Sequence, residues 1–193
     1  MIVDSTFKAL LTRYQVTDTE AQQAIAKVTK KVDFNPGQVL YPLGCQPSFM
    51  YWVEKGLLRS VFYTESGKEF SKEFYWEGDV FLGIRNLLNG EPLPYEVVAV
   101  EQSHCFQTPL KNYNLARQAF QCWQQFHQGF LEAHILAKEF KEELLLLNSN
   151  EQKVVRIYET YPEFVSRVPG TLLASYLGLT PVSLSRIKKR LGL

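Results

Sequence analysis

The pattern of hydrophobic and polar positions changes texture along the 193-residue chain. Between residues 4 and 31 the apolar residues recur at helical spacing. Phe7, Leu10, Leu11 and Tyr14 share one face of a first short helix, and Ala21, Ala24, Ile25 and Val28 share a face of a second. Thr17 and Glu20 have the spacing of a capping box that would open the second helix. From about Val32 to Thr108 the chain switches to short runs rich in Val, Phe, Tyr and Trp, at 50–53, 57–63, 69–75, 96–100 and 104–107. Turn signals separate them: Asn35-Pro36-Gly37, Leu43-Gly44, Glu54-Lys55-Gly56, Glu65-Ser66-Gly67 and Glu77-Gly78-Asp79. Turns about every 8–12 residues predict an antiparallel sandwich or barrel.

The stretch from Tyr113 to Leu147 has no proline and only Gly129, which predicts one long helix. Within it Phe126, Phe130, Ala133, Ala137, Phe140, Leu144 and Leu147 follow a strict alternation of four and three, the seam of a two-stranded coiled coil. That seam predicts a homodimer. Leu131, Ile135, Leu136, Leu145 and Leu146 form a second apolar face, suited to packing on the helix's own domain. Asn148-Ser149-Asn150 reads as a hinge and cap for a following helix carrying Val154, Val155, Ile157, Tyr158 and Tyr161. Pro162 is expected to end that helix, and Arg167-Val168-Pro169 to form an extended link. The expected division is a sensor domain over 1–110, a dimer helix over 111–148 and a C-terminal domain over 149–193.

The last two dozen residues read as a helix-turn-helix. Leu173 and Leu177 lie on one face of a first helix starting near Thr171, and Ala174 is small where two helices must cross closely. Gly178 stops the helix in a left-handed conformation, Leu179 fills the corner, Thr180 caps the second helix and Pro181 takes its first position. Leu184, Ile187 and Leu191 then face inward. Pro181, Val182, Ser183, Ser185, Arg186, Lys189 and Arg190 face outward, a division of labour suited to a helix that enters the DNA major groove. Only two residues follow Leu191, so no wing is expected after this helix.

These residues carry a resemblance. Tyr161-Pro162-Glu163, Arg167-Val168-Pro169, and the run from Ala174 to Pro181 with Leu184-Ser185-Arg186-Ile187-Lys188-Lys189 resemble the C-terminal domain of Crp/Fnr-type bacterial transcription regulators. The branch common in Bacteroidetes is the nearest, and the likeness extends more loosely over almost the whole chain. The glycine spacing at Gly37, Gly44, Gly56, Gly67 and Gly78 is like that of the family's sensor domain. The resemblance implies an α+β fold: an N-terminal antiparallel β-roll of the double-stranded β-helix or jelly-roll type, a long dimerisation helix and a C-terminal helix-turn-helix.

It also implies a cytoplasmic homodimer that binds double-stranded DNA, with RNA polymerase and an unidentified small-molecule effector as further partners and no enzymatic activity. Arg186 stands where the family carries a base-contacting Arg. Thr180, Ser183 and Ser185 are expected to contact bases or phosphates, Thr171 a phosphate at the first helix's N-terminus, and Lys188, Lys189 and Arg190 phosphates. Val182 departs from the family, where a cytosine-reading Glu is usual, and suits contact with a thymine methyl instead.

A second departure concerns the effector. Family members that bind cyclic nucleotide hold the ribose with a Glu and the cyclic phosphate with an Arg. Here those positions fall on Ile84 and on Leu93-Pro94-Tyr95, and Arg85 would have to reach in from another direction. A buried phosphate without a cation would be strongly disfavoured, so cyclic AMP is not expected in the usual mode. The candidate pocket, Leu82, Gly83, Ile84, Arg85, Leu93, Pro94 and Tyr95, is more apolar and reads first as plain core.

Composition narrows the classes further. Hydrophobic residues make up 46% and charged residues 21%, a folded soluble chain with no apolar run of membrane-spanning length and no signal-peptide pattern. Cys45, Cys105 and Cys122 are too scattered for a disulfide framework, a zinc ribbon or an iron–sulfur centre, and suit a reducing compartment. His104, His127 and His134 have no metal-binding spacing, so neither metal nor cofactor is expected. A rival reading, an enzymatic or ligand-binding barrel whose C-terminal helices merely pack, would need several histidines inside the barrel, and only His104 falls in a predicted strand. The net charge of +1 conceals an asymmetry: residues 151–193 carry seven Lys/Arg against three Glu, and the rest of the chain is mildly acidic.

Overall fold

The computed structural model describes residues 3–193. Two aspartates open the chain's first helices. Asp4 accepts the backbone N–H groups of Thr6 and Phe7 at 3.0 and 3.2 Å and caps α1 (Ser5–Arg13). Asp18 accepts that of Ala21 at 2.7 Å and caps α2 (Thr19–Ala26). The cap is therefore Asp18 and not Thr17. A carboxylate one residue later reaches the third helical N–H, and the helix starts one residue later with it.

The β-type runs fold into eight strands: β1 (Lys30–Phe34), β2 (Val39–Tyr41), β3 (Phe49–Lys55), β4 (Leu58–Tyr63), β5 (Glu69–Tyr75), β6 (Val80–Phe81), β7 (Glu96–Ala99) and β8 (Ser103–Pro109). They form two four-stranded sheets, in the orders β1-β8-β3-β6 and β2-β7-β4-β5, rather than one closed barrel. The pairings of β1 with β8, β2 with β7, and β3 with β6 and β8 are antiparallel. A short helix, α3 (Ile84–Asn89), interrupts the strand sequence.

Period-two alternation along β3 divides the core. Met50 and Trp52 face a helix-lined cluster with Phe7, Leu11, Ile25, Phe106, Tyr113, Trp123 and Phe126. Tyr51 and Val53 face the roll interior with Phe34, Tyr41, Leu58, Phe81, Leu93, Tyr95 and Val97. Gly56, at φ +117°, makes one of the turns possible: a Cβ there would stand 2.4–2.7 Å from Ser103, whose hydroxyl accepts the Leu57 N–H at 3.2 Å.

The single long helix expected after residue 113 is two helices, α4 (Leu110–Ala119) and α5 (Gln121–Leu147). Phe120 between them is extended, at φ −129° and ψ 128°. Its carbonyl accepts the N–H groups of Trp123 and Gln124, which restarts the helix. No glycine or proline marks this break. Phe120 packs against the helix-lined cluster instead.

The chain divides into two compact units, residues 1–60 with 74–132, and residues 61–73 with 133–193. The first contains both clusters above. The second contains the arm formed by residues 61–73, the C-terminal half of α5, α6 (Asn150–Thr160), α7 (Pro162–Arg167), α8 (Gly170–Tyr176) and α9 (Pro181–Leu191). Ser149 opens α6 with a reciprocal capping box to Gln152. Pro162 starts α7 rather than leading into open chain, because its ring suits the first helical position, and only Val168 and Pro169 remain extended before α8.

Candidate nucleic-acid interface

The corner between α8 and α9 is built from backbone conformations that the local residues prefer. Gly178 sits at φ +68°, donating to the Ser175 carbonyl, and the next N–H, of Leu179, returns to the Ala174 carbonyl at 2.8 Å. Thr180 is extended and its Oγ1 accepts the Ser183 N–H at 3.1 Å, while the two hydroxyls share a hydrogen bond at 2.8 Å. Pro181 takes the first position of α9. Leu173, Ala174 and Leu177 are buried together with Leu184 and Ile187 of α9 and Val154 and Ile157 of α6. Helices α8 and α6 both pack on α9.

The opposite side of α9 is open. Pro181, Val182, Ser185, Arg186, Lys189 and Arg190 are exposed, Val182 at 60%, while Ser183 and Lys188 are half-buried. Val182, Ser185, Arg186 and Lys189 fall within one face of the helix. The four cations of α9 are not equivalent. Arg190 donates to the Glu151 carboxylate at 2.7 Å, and the Lys188 ammonium lies 5.5 Å above the Tyr158 ring, both partners being on α6. Arg186 and Lys189 form no ion pair or hydrogen bond among the described residues. Thr171 is exposed in the first turn of α8, whose N-terminus has no side-chain cap. Sequence spacing offered no sign of the Glu151 and Tyr158 partners, because both contacts join helices about thirty or more residues apart.

The seven seam residues of α5 do not share one environment. Phe126 is buried in the helix-lined cluster, with its ring 5.3 Å from Trp52 and 5.4 Å from Trp123, and Leu144 is fully buried. Neither is open to a partner, which corrects the expected seam at those two positions. Phe130 and Phe140 are half-buried, and Ala133, Ala137 and Leu147 are exposed. The open apolar positions of the helix include two adjacent pairs, Ile135 with Leu136 (58% and 65% exposed) and Leu146 with Leu147 (72% and 78%). The pairs are offset by about three turns, so they project from the same side. Ile135, Leu136 and Leu146 belong to the apolar face whose spacing suits packing on the helix's own domain, yet they stand open.

The candidate pocket residues also part company. Leu82 is buried on the helix-facing side, whereas Leu93 and Tyr95 are buried in the roll interior. The reason is again strand alternation: Phe81 points inward and its neighbours Val80 and Leu82 point outward. Gly83 adopts φ +57° at the start of α3, Ile84 and Pro94 are half-buried, and exposed Arg85 pairs with Glu91 at 2.6 Å. Leu93, the residue that the resemblance aligns with the family's phosphate-binding Arg, is fully buried and exchanges backbone hydrogen bonds with Gly44 and Cys45. Among the described residues no three His, Cys, Asp or Glu side chains come together as a metal site. His104 pairs with Asp33 at 2.7 Å, and His127 with the Tyr113 hydroxyl at 2.8 Å. No helix among the described residues is long and apolar enough to cross a membrane.

Comparison with known proteins places this geometry. Residues 31–117 match the cyclic nucleotide-binding domain family. No curated protein matches the chain in sequence. Among solved structures, FixK2 from Bradyrhizobium japonicum is similar with a TM-score of 0.72 and 18% identity, over 86% of this chain and 85% of that one. A crp/fnr family transcriptional regulator from Eubacterium rectale gives a TM-score of 0.75 at 12% identity, covering 95% and 88%. The c-di-GMP-responsive global regulator CLP from Xanthomonas campestris gives 0.73 at 12%, covering 91% and 92%.

Proposed function

From a chain that carries a cyclic nucleotide-binding-type domain within the Crp/Fnr regulator fold, we propose a homodimeric, sequence-specific DNA-binding transcription regulator. The observation that carries this reading is α9. One face is locked by Leu184 and Ile187, and the other presents Val182, Ser185, Arg186 and Lys189 with both cations free of internal partners. Arg186 reads a base edge, where a bidentate pair with guanine contributes about 1–3 kcal/mol of discrimination. Lys189 and Thr171 contact phosphate, and Val182 packs against a thymine methyl. Arg190 and Lys188 contribute less, because each must first leave its partner on α6. Residues 149–193 form the DNA-binding domain, α5 the dimer helix and residues 1–110 the sensor domain of a cytoplasmic protein.

Two copies meet along the open ridge of α5 and hold their recognition helices about one DNA turn, ~34 Å, apart on a near-palindromic site. The regulator is not controlled by cyclic AMP in the usual mode, since Leu93 and Ile84 stand where the phosphate and ribose partners would be needed. Selection of bound sequences from a random DNA pool tests the reading. The wild-type chain should enrich a palindromic motif, and Arg186→Ala should lose information at one position per half-site. Equal recovery of all sequences by the wild-type chain would refute it.

A further inference from the structure

An open-sided cavity of about 150 Å³ lies where α1, α2, β1 and β8 meet in the first unit. Phe7 of α1 and Phe106 of β8 form its floor, with ring centres 4.8 Å apart. Both residues are only 2% exposed, so the cavity reaches down to the helix-lined cluster. Val3 and Ala26, both half-buried, supply apolar walls. Strand alternation keeps this space apart from the roll. Phe106 points towards the helices, and the adjacent Cys105 points into the roll interior.

The polar groups at its mouth differ in what they can still bind. The Lys31 ammonium is held by Asp4 at 3.3 Å and Glu54 at 3.2 Å, and it lies 5.0 Å from the centre of the Phe106 ring. The Asp4 carboxylate is engaged in turn by that ammonium and by the two N–H groups it caps. The Thr29 hydroxyl is shared between the Ile25 carbonyl and the Thr108 hydroxyl. Gln23 and Lys27 remain. They stand four residues apart, one turn along α2, and Lys27 keeps helical angles at its C-terminal cap. Among the described residues neither side chain makes a hydrogen bond or an ion pair. One amide and one unpaired cation thus overlook an aromatic floor.

We propose that this cavity binds a single-ring aromatic carboxylate. The ring settles against Phe7 and Phe106 in offset or edge-on contact. The carboxylate accepts from the Lys27 ammonium and the Gln23 amide, and the charge on both sides strengthens the first of these bonds. Volume sets the size of the ligand. An apolar cavity of about 150 Å³ takes one benzene-sized group, whereas sites for larger molecules run to roughly 300 Å³ and more. Charge sets its class. A cationic ligand would be repelled by Lys27, and a neutral one would leave that ammonium without a partner. The site lies outside the roll interior and does not depend on the DNA-binding reading.

Titration of benzoate into the full chain, followed by NMR, tests the site without DNA. The Ala26 methyl and Phe106 ring signals should shift and saturate with a Kd of about 1 mM or tighter. Benzamide has the same shape without the charge and should bind about tenfold more weakly. Lys27→Met should weaken benzoate to that same level. Lys27→Arg keeps the cation and should hold benzoate within about threefold of the wild type. Ala26→Leu fills the cavity and should abolish the Phe106 shifts with either compound. Unmoved Ala26 and Phe106 signals at about 10 mM benzoate, or equal affinity of the wild type for benzoate and benzamide, would overturn the proposal.

Discussion

Truncating the open pair on α5, Ile135→Ala with Leu136→Ala, tests the dimer surface most directly. Each truncation removes three carbon groups, worth about 0.8 kcal/mol apiece when fully buried. In the single subunit these side chains are 58% and 65% exposed, so most of that value is still to be gained on association. The gain forgone is about 1.5 kcal/mol per residue, or ~6 kcal/mol for the four side chains of a symmetric pair under full cover. Partial cover of half that size still gives ~3 kcal/mol, roughly a hundredfold in dimer Kd. The subunit itself should barely notice, because exposed truncations usually shift stability by no more than ~0.5 kcal/mol. Sedimentation equilibrium of the full chain at several loadings reads the dimer Kd, and a denaturant titration reads the subunit. Leu88→Ala is the control, an equally open leucine on α3 at 59% exposure. A double variant that dimerises as tightly as the wild type would refute the placement of the interface on this ridge.

Three further outcomes are expected. Lys189→Gln should weaken binding to all DNA sequences and reduce the slope of log affinity against log salt by about 1, whereas Arg190→Gln should change it less because Glu151 already holds that guanidinium; equal slopes would remove the distinction. Cyclic AMP at millimolar concentration should leave the melting temperature unchanged, since a ligand that binds the folded state must raise it, and a clear rise would show that the roll accommodates the phosphate without Arg at the position of Leu93. Gly56→Ala should destabilise the chain by more than ~2 kcal/mol, because its φ is +117° and the new Cβ meets Ser103 side-chain and backbone atoms. Gly67→Ala, with positive φ but open space around it, should cost only about 1 kcal/mol; denaturant midpoints compare the two.

The corner between α8 and α9 was legible because its determinants are local. The stop at Gly178, the cap at Thr180, the proline at 181 and the spacing of Leu173, Leu177, Leu184 and Ile187 all act within a few residues, and each lies where the pattern placed it. The strands from Phe49 to Tyr75 were legible for the same reason, since alternation and turn glycines are short-range signals. The break at Phe120 was not, because no residue there disfavours helix and the bend comes from packing on the core.

The order of residues alone therefore determined the roll, the α8–α9 corner with its caps and the outward face of α9, and it carried the resemblance to Crp/Fnr regulators. Only the folded chain decided which apolar side of α5 stays open, that Leu82 lies apart from Leu93 and Tyr95, and that Arg190 and Lys188 are held by α6. A periodicity states which side chains share a face. It carries no record of which distant element arrives to cover that face, and burial, charge pairing and proton affinity all depend on that arrival.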